Sequence, residues 1–456
     1  VKQTGKFHFI AIGGSVMHNL AIALKQAGHH VTGSDDELTD PSRSALAQHG
    51  LLPPVKGWQP DILDSSYTAV VVGMHAKANN PELVKALHLG LKLYSFPEFI
   101  FEHSRDKQRI VVAGSHGKTT ITAIILHVLA FHQRDFDYVI GARVAGLENA
   151  VKLSDAPLIV IEGDEYLSSP IDPTPKFLKY QHHIGVISGI AWDHVNVFST
   201  EEEYIRQFDL FADATPKGGI IVYCETDPVA TLVCKKERPD VLYVPYKAHP
   251  HTQEGGREFL ISSNKERLPL KIFGKHNLQN ISAAREVLKK IGITNEQFDQ
   301  AISSFNGAAG RLEKIFESNG MTVFKDFAHA PSKVKATTEA VKELYPQRDL
   351  VACVELHTYS SLTKKFLPQF KGTLKSANHA FVYFNPDKVK AKGLESFTEA
   401  DVKQGFGTGN VEVFTDTAQL TQRLYGMAWK NKNLLAMSSG SFNGLDFARL
   451  AGDLEA

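Results

Sequence analysis

Only three cysteines occur in the 456 residues, at positions 224, 234 and 353. Their spacing matches neither a metal motif nor a disulfide framework, and it suits a reducing cytoplasm. Net charge is missing too: 50 lysines and arginines balance 50 aspartates and glutamates. No bulk field therefore draws the chain to nucleic acid or to an anionic membrane. No apolar run approaches the roughly 20 residues that span a bilayer. The apolar start, Phe7 to Ile12, is cut off by Gly13-Gly14 and is too short for the hydrophobic region of a secretion signal. Internal repeats and low-complexity tracts are absent. The expectation is a soluble, cytoplasmic, globular protein, and roughly 150 residues per domain implies about three domains.

What is present is more specific. Gly114-Ser115-His116-Gly117-Lys118-Thr119-Thr120 follows the strand-like Arg109-Ile110-Val111-Val112-Ala113 and precedes a run, Ile121 to Ala130, that can be helical. A strand, a glycine turn, Lys-Thr and a helix make a phosphate cradle. The glycines let backbone N–H groups converge on phosphate oxygens, and the helix N-terminus adds partial positive charge. Lys118 would reach the β- and γ-phosphates, and the Thr119 hydroxyl would sit on Mg²⁺. Only Ser115 and His116 separate the two glycines, so the loop is shorter than the usual pattern. The expected ligand is a nucleoside triphosphate.

Three α/β units follow one another. The first runs from strand-like Phe7–Ile12 through Gly13-Gly14-Ser15-Val16-Met17 into a helical Asn19 to Gln26, ended by Gly28. A second strand ends in Gly33-Ser34-Asp35, and Ala69–Val72 leads into Gly73-Met74-His75. This is a βαβ nucleotide-binding layout with an incomplete glycine fingerprint. A dinucleotide, a uridine or adenosine nucleotide, or no ligand at all fit it. In the second unit, Pro157 to Ile161 delivers Glu162-Gly163-Asp164-Glu165, and Ile184 to Ala191 delivers Trp192-Asp193-His194. Ligands gather at the carboxyl ends of parallel strands. Glu165 is a natural Mg²⁺ ligand there or a solvated loop acid; His194 is a ligand or a structural histidine. Gly274-Lys275-His276-Asn277 with Asn280 suits contacts to a base or phosphate, or a capped helix start. The third unit has a strand at Thr322–Asp326, a helix from Pro331, and further strands at α/β spacing. The polar segment 249–267 reads as a loop or hairpin.

Together these motifs, with Gly310-Arg311-Leu312-Glu313 and Asp326, follow the order seen in the Mur ligases, ATP-dependent enzymes that form amide bonds in peptidoglycan synthesis. The resemblance covers essentially the whole chain. It implies an α/β fold of three domains: a Rossmann-like UDP-sugar-binding domain (1–106), a central phosphate-loop domain that binds ATP (107–307) and a Rossmann-like C-terminal domain (308–456). The implied cofactors are ATP and Mg²⁺. Gly114, Gly117, Lys118, Thr119 and Thr120 would hold the phosphates, Thr119 and Glu165 one Mg²⁺, and His194 a second. His276, Asn277 and Asn280 would line the nucleotide, Arg311 would reach its phosphates and Asp326 its ribose. Lys118, His194 and Arg311 are the implied catalytic set. Gly13, Gly14, Ser15, Met17, Ser34, Asp35 and His75 would contact the UDP-sugar.

Within the family the chain resembles the branch acting on UDP-N-acetylmuramate, whose carboxylate would be joined to an amine through an acyl phosphate. Glu162–Tyr166, Pro175–Tyr180 and Met437–Phe442 are similar to the member that ligates a recycled murein tripeptide, the preferred reading. Leu167-Ser168-Ser169 stands where the L-alanine-adding member usually has Asp-Ala-Ser. His357-Thr358-Tyr359-Ser360 resembles that second member instead, so L-alanine is the alternative amine. Ala330 stands where either commonly has a second histidine. No lysine occurs in Tyr204–Phe208, so the carbamylated lysine of some family members has no counterpart.

Overall fold

The structure, a computed structural model, describes residues 4–455 except 75, 170–171, 319 and 408–409. His75, named above as a substrate contact, lies outside the described residues. The chain forms two compact units. The first comprises the chain through Ile190, Ile205–Tyr246 and Ala283–Gly292; the second comprises Ala191–Tyr204, Lys247–Ser282 and Ile293 onward.

The first unit holds two main sheets, and a two-stranded antiparallel pair, Leu167–Ser169 with Asp172–Pro175, besides. Four parallel strands make the smaller one, in the order His30–Ser34, Lys6–Ile10, Ala69–Val72, Leu93–Ser95. Phe9, Ile10, Val70 and Val71 are fully buried, the apolar run expected of a parallel sheet covered on both faces. The helix Met17–Gln26 links the first two strands, and Gly28 at φ 89° follows its end. The larger sheet has the order Leu242–Tyr246, Ile220–Cys224, Ile184–Ile187, Gln108–Ala113, Leu158–Glu162, Asp137–Val139, Val151–Lys152. Only its last pair is antiparallel. The strands that follow Gln108–Ala113 in the chain lie on both sides of it. Its carboxyl end is thus a topological switch point, where open α/β sheets receive ligands.

The second unit is built on a six-stranded sheet in the order Glu313–Glu317, Met321–Asp326, Lys432–Met437, Asp349–Leu356, His379–Phe384, Val411–Phe414. Alternation along the strands decides its two cores. Leu350, Ala352, Val354 and Leu356 pack with Val334 and Val341 of the helix Pro331–Leu344, whereas Val351 and Cys353 turn to a core with Leu420, Leu424 and Leu450. Segment 249–267, read as a loop or hairpin, belongs to a three-stranded antiparallel sheet of His251–Glu254, Arg257–Ile261 and Arg267–Leu270. Among the described residues no helix is long and apolar enough to cross a membrane.

Candidate active site

The strand Gln108–Ala113 hands the chain to Gly114 at φ 131°, and Gly117 at φ 79° starts the helix Lys118–Phe131. The helix begins three residues earlier than the apolar run suggests, so Lys118 and Thr119 sit in its first turn, where backbone N–H groups are unpaired by the helix itself. Both glycine conformations are left-handed, and a side chain would be strained there. A Cβ on Gly114 would also stand 2.1 Å from Ser188 Oγ. Ser188 Oγ donates to the His116 carbonyl, and Ser115 N–H donates to the Gly189 carbonyl at 2.9 Å. The loop is thus stitched to the end of the neighbouring strand Ile184–Ile187.

Charge concentrates above this loop. Lys118 Nζ donates to the Gly114 carbonyl and to Glu165 Oε2, each at 2.6 Å. The Thr119 hydroxyl donates to Glu162 Oε1 at 2.7 Å, and the Gly141 N–H donates to Glu162 Oε2 at 2.7 Å. Lys176 Nζ reaches Asp164 Oδ2 at 2.7 Å. Burial works to lower the pKa of Lys118, but the charges of Glu165, Asp164 and Glu162 outweigh it and hold the ammonium above the ordinary lysine value. Burial likewise works to raise Asp164, and the Lys176 charge holds that carboxyl below its usual range. Thr119, Glu162 and Glu165 are hard oxygen donors of the kind Mg²⁺ takes. Lys118 and the helix N-terminus suit phosphate oxygens. Glu162 is missing from the sequence-derived set. Its signal is its place as the last residue of the strand Leu158–Glu162, directly opposite the loop.

The other residues expected at the nucleotide belong to the second unit. His194 has φ 55°, and its N–H donates to Asp193 Oδ1 at 2.7 Å. The Ser360 hydroxyl donates to the same Asp193 oxygen at 3.1 Å, and His329 Nε2 stands 3.8 Å from Asp193 Oδ2. Burial pushes His329 down to about 3, so it is neutral at physiological pH. His329 and Ser360 are additions that only the fold brings to Asp193. Asn277 Nδ2 donates to the Phe273 carbonyl at 2.8 Å and Asn280 Nδ2 to Asn277 Oδ1 at 3.3 Å, both side chains buried at the start of the helix Lys275–Lys289 with His276 beside them. Arg311 stacks its guanidinium 4.4 Å from the centre of the Phe327 ring. Asp326 accepts from Thr337 Oγ1 at 2.8 Å and from Ala328 N–H at 3.1 Å. Burial raises the Asp326 carboxyl above its ordinary value despite these donors and the Arg311 charge.

In the first sheet, Asp35 Oδ2 accepts from the Gly13 N–H at 2.7 Å and Oδ1 from Glu37 N–H at 3.0 Å. The acid at the strand end braces the glycine turn. Gly14 is half-buried and Ser15 exposed on the same turn. Met17 and Ser34 are interior residues, 3% and 0% exposed. Asp35 is equally interior, at 2%. Thr120 is also buried in its helix.

A glycine loop at a switch point, with an ammonium among carboxylates beside it, is the arrangement of an α/β protein that binds a nucleoside triphosphate. The family comparisons agree: residues 6–108 match the Mur ligase family catalytic domain, 112–288 the Mur ligase middle domain, and 310–440 the Mur ligase glutamate ligase domain. The chain belongs to the Mur ligase family. It is 31% identical over 421 residues to the UDP-N-acetylmuramate–L-alanine ligase of Carboxydothermus hydrogenoformans, covering 88% of this chain and 84% of that one. It is 25% identical over 447 residues to the UDP-N-acetylmuramate–L-alanyl-γ-D-glutamyl-meso-2,6-diaminoheptandioate ligase of Haemophilus influenzae, covering 96% and 97%. A solved UDP-N-acetylmuramate–alanine ligase from Thermotoga maritima shares the fold with a TM-score of 0.71 at 19% identity, over 99% of each chain.

Proposed function

We propose that the chain joins the carboxylate of UDP-N-acetylmuramate to L-alanine. The preference for a murein tripeptide is thereby reversed: the L-alanine ligase from Carboxydothermus is 31% identical and the tripeptide ligase from Haemophilus 25%. The motif at His357–Ser360 points the same way.

The observation that carries the chemistry is the Lys118–Glu165 and Thr119–Glu162 cluster on the glycine loop. A carboxylate is a poor electrophile, and phosphorylation gives it a leaving group. The muramyl carboxylate oxygen attacks the γ-phosphorus of ATP, the bond to the β,γ-bridging oxygen breaks, and ADP leaves. The neutral amine then attacks the acyl carbon; the tetrahedral adduct releases a nitrogen proton to solvent and expels inorganic phosphate as the C–O bond breaks and the amide forms. Lys118 neutralises the transferring phosphoryl group, and the loop N–H groups orient it. Thr119 and Glu165 would hold Mg²⁺, with Glu162 orienting the Thr119 hydroxyl, and the ion would supply charge neutralisation on the phosphates; His194 is proposed for a second ion. We assign Arg311 to the ATP phosphates, Asp326 to the ribose, and His276, Asn277 and Asn280 to the nucleotide. Gly13, Gly14, Ser15, Met17, Ser34 and Asp35 form the proposed UDP-sugar site.

The test is incubation of purified enzyme with ATP, Mg²⁺ and UDP-N-acetylmuramate, with L-alanine or the tripeptide offered separately, followed by ADP release and product mass. Ligation of L-alanine is expected. Product from the tripeptide alone would overturn the assignment.

A further inference from the structure

The three-stranded sheet carries a charge where strand alternation calls for an apolar residue. Glu258 and Leu260 share the inward face of the strand Arg257–Ile261, and Glu258 is only 1% exposed. Its Oε2 accepts from the Gly274 N–H at 3.2 Å and from Gln253 Nε2 at 3.1 Å. Gly274 opens the helix Lys275–Lys289: its carbonyl accepts from the N–H groups of Asn277 and Leu278 at 2.9 and 3.1 Å. The chain entering the sheet makes a second tie, the His249 N–H donating to the Leu278 carbonyl at 3.3 Å. Glu258 therefore holds the start of the helix that carries His276, Asn277 and Asn280.

Its other oxygen, Oε1, is sealed from solvent and accepts no hydrogen bond among the described residues. It faces His251 Nε2 at 3.7 Å, diagonally across the strand pair. The opposite ring nitrogen, Nδ1, stands 3.1 Å from the His249 carbonyl. A carbonyl only accepts, so Nδ1 carries a proton. In a neutral ring Nε2 is then a bare lone pair, and two acceptors face each other. A proton on Nε2 makes the same contact attractive and lets it close into a charge-assisted hydrogen bond. The carboxylate is then fixed at both oxygens. Without that proton a buried carboxylate oxygen stays uncompensated, and the hold on Gly274 loosens. Leu270, opposite Glu258 on the third strand, brings no charge. His249 turns Nε2 to the Ile261 carbonyl at 3.0 Å, the His276 ring lies beside Gly274, and Glu254 pairs with Arg267 at 2.7 Å.

We propose that His251 and Glu258 form a proton-operated latch on the nucleotide helix, closed when His251 is protonated, with Glu258 as a positioning residue for ATP. The inference rests on the assignment of that helix to the nucleotide, but not on which amine is used. Glutamine in place of Glu258 separates a latch from a plain structural contact. Its amide oxygen keeps the Gly274 and Gln253 donors, while its NH₂ donates to the neutral Nε2 and closes the latch without a proton.

The KM for ATP tests it, read from ADP release between about pH 5 and about pH 8, where imidazoles change charge, in wild type, Glu258→Gln and His251→Phe. In the wild type KM should rise towards alkaline pH by up to about 10-fold, the lower end for one hydrogen bond to a charged group. Glu258→Gln should hold the low KM throughout and His251→Phe the high one, with kcat in both close to wild type. A pH profile of KM shared by all three would overturn the proposal, as would a Glu258→Gln variant whose KM is high at every pH. Should either variant lose its fold by circular dichroism, the other against wild type decides alone. Asn280→Ala keeps this inference apart from the assignment beneath it: an unchanged KM for ATP there removes the helix from the nucleotide site. The latch is then judged by amide exchange at Gly274 at alkaline pH. Slower exchange in Glu258→Gln than in wild type supports it, and equal exchange overturns it.

Discussion

Lys118 and Glu165 meet at 2.6 Å, with side chains only 15% and 2% exposed. Each charge depends on the other in so dry a place. Removing one partner of a buried pair leaves the second uncompensated, at about 3–5 kcal/mol, while removing both is far cheaper. Lys118→Met should therefore lower the urea midpoint sharply, and Lys118→Met with Glu165→Gln should recover most of it. Neither variant should ligate, because one electrostatic donor to a transition state contributes about 10²–10³ in turnover. Equal ADP release from Lys118→Met and wild type would remove Lys118 from the mechanism.

Glu162 holds the Thr119 hydroxyl at 2.7 Å and the Gly141 N–H with its other oxygen. A group that orients a metal ligand commonly changes metal affinity by about 10- to 100-fold. Glu162→Gln is expected to raise the Mg²⁺ concentration for half-maximal ADP release by that order. A Mg²⁺ titration superimposable on the wild type would confine Glu162 to a structural role.

Gly114 has no room for a side chain, with Ser188 Oγ 2.1 Å from the place of a Cβ. Gly114→Ala should displace the loop, and a shift of about 1 Å can cost roughly 10²-fold in rate. Adding Ser188→Gly removes the side-chain collision but neither the 2.9 Å approach to the backbone nitrogen of residue 188 nor the strain of φ 131°. Partial recovery of kcat/KM for ATP is expected. Full activity in Gly114→Ala alone would contradict the steric account.

Two acids in the second unit make opposite pH predictions. Glu355 is buried, which would raise its pKa, yet His357, Ser438 and the Phe442 N–H pull it down to about 2. Its contribution to stability is therefore present above the ordinary carboxylate value, about 4.3, and lost as pH falls through about 2. The stability gap between wild type and Glu355→Gln should narrow across that acid window. Chemical denaturation at stepped pH reads it.

Asp326 runs the other way, since burial raises its carboxyl. Its contribution is full below the unfolded pKa and is lost as pH rises through the raised folded value. Asp326→Asn should gain Tm relative to wild type at neutral pH, lose that pH-dependent gain in acid, and bind ATP less well. A pH-independent Tm difference would show that Asp326 titrates alike in both states.

Much of this is legible in the sequence because the signals are local. Arg109–Ala113 before Gly114 announces a strand and a turn, and Thr322–Asp326 alternates as a strand should. Legibility fails where a residue's meaning depends on a distant partner. By sequence Glu162 is one of several acids after a strand, although it closes the strand and meets Thr119 on another element. Glu258 carries no motif at all; only the antiparallel pairing of Arg257–Ile261 with His251–Glu254 brings it to His251. Segment 249–267 is half-legible for a different reason. Polar composition leaves loop and hairpin undecided, whereas its Gly255-Gly256 turn, at φ 59° and 72°, fits the mirror-image turns that connect adjacent antiparallel strands. The burial of Met17, Ser34 and Asp35 is likewise invisible to any spacing rule.

The stitch between Ser188 and the His116 carbonyl has a kinetic consequence. Ordering a loop on binding spends part of the interaction energy and slows productive encounter. Here the shape of the loop is settled during folding, by a neighbouring strand that itself touches no phosphate in this scheme. Cutting the stitch with Ser188→Ala would thus show first in how quickly nucleotide is captured, before any change in how the bound phosphate reacts.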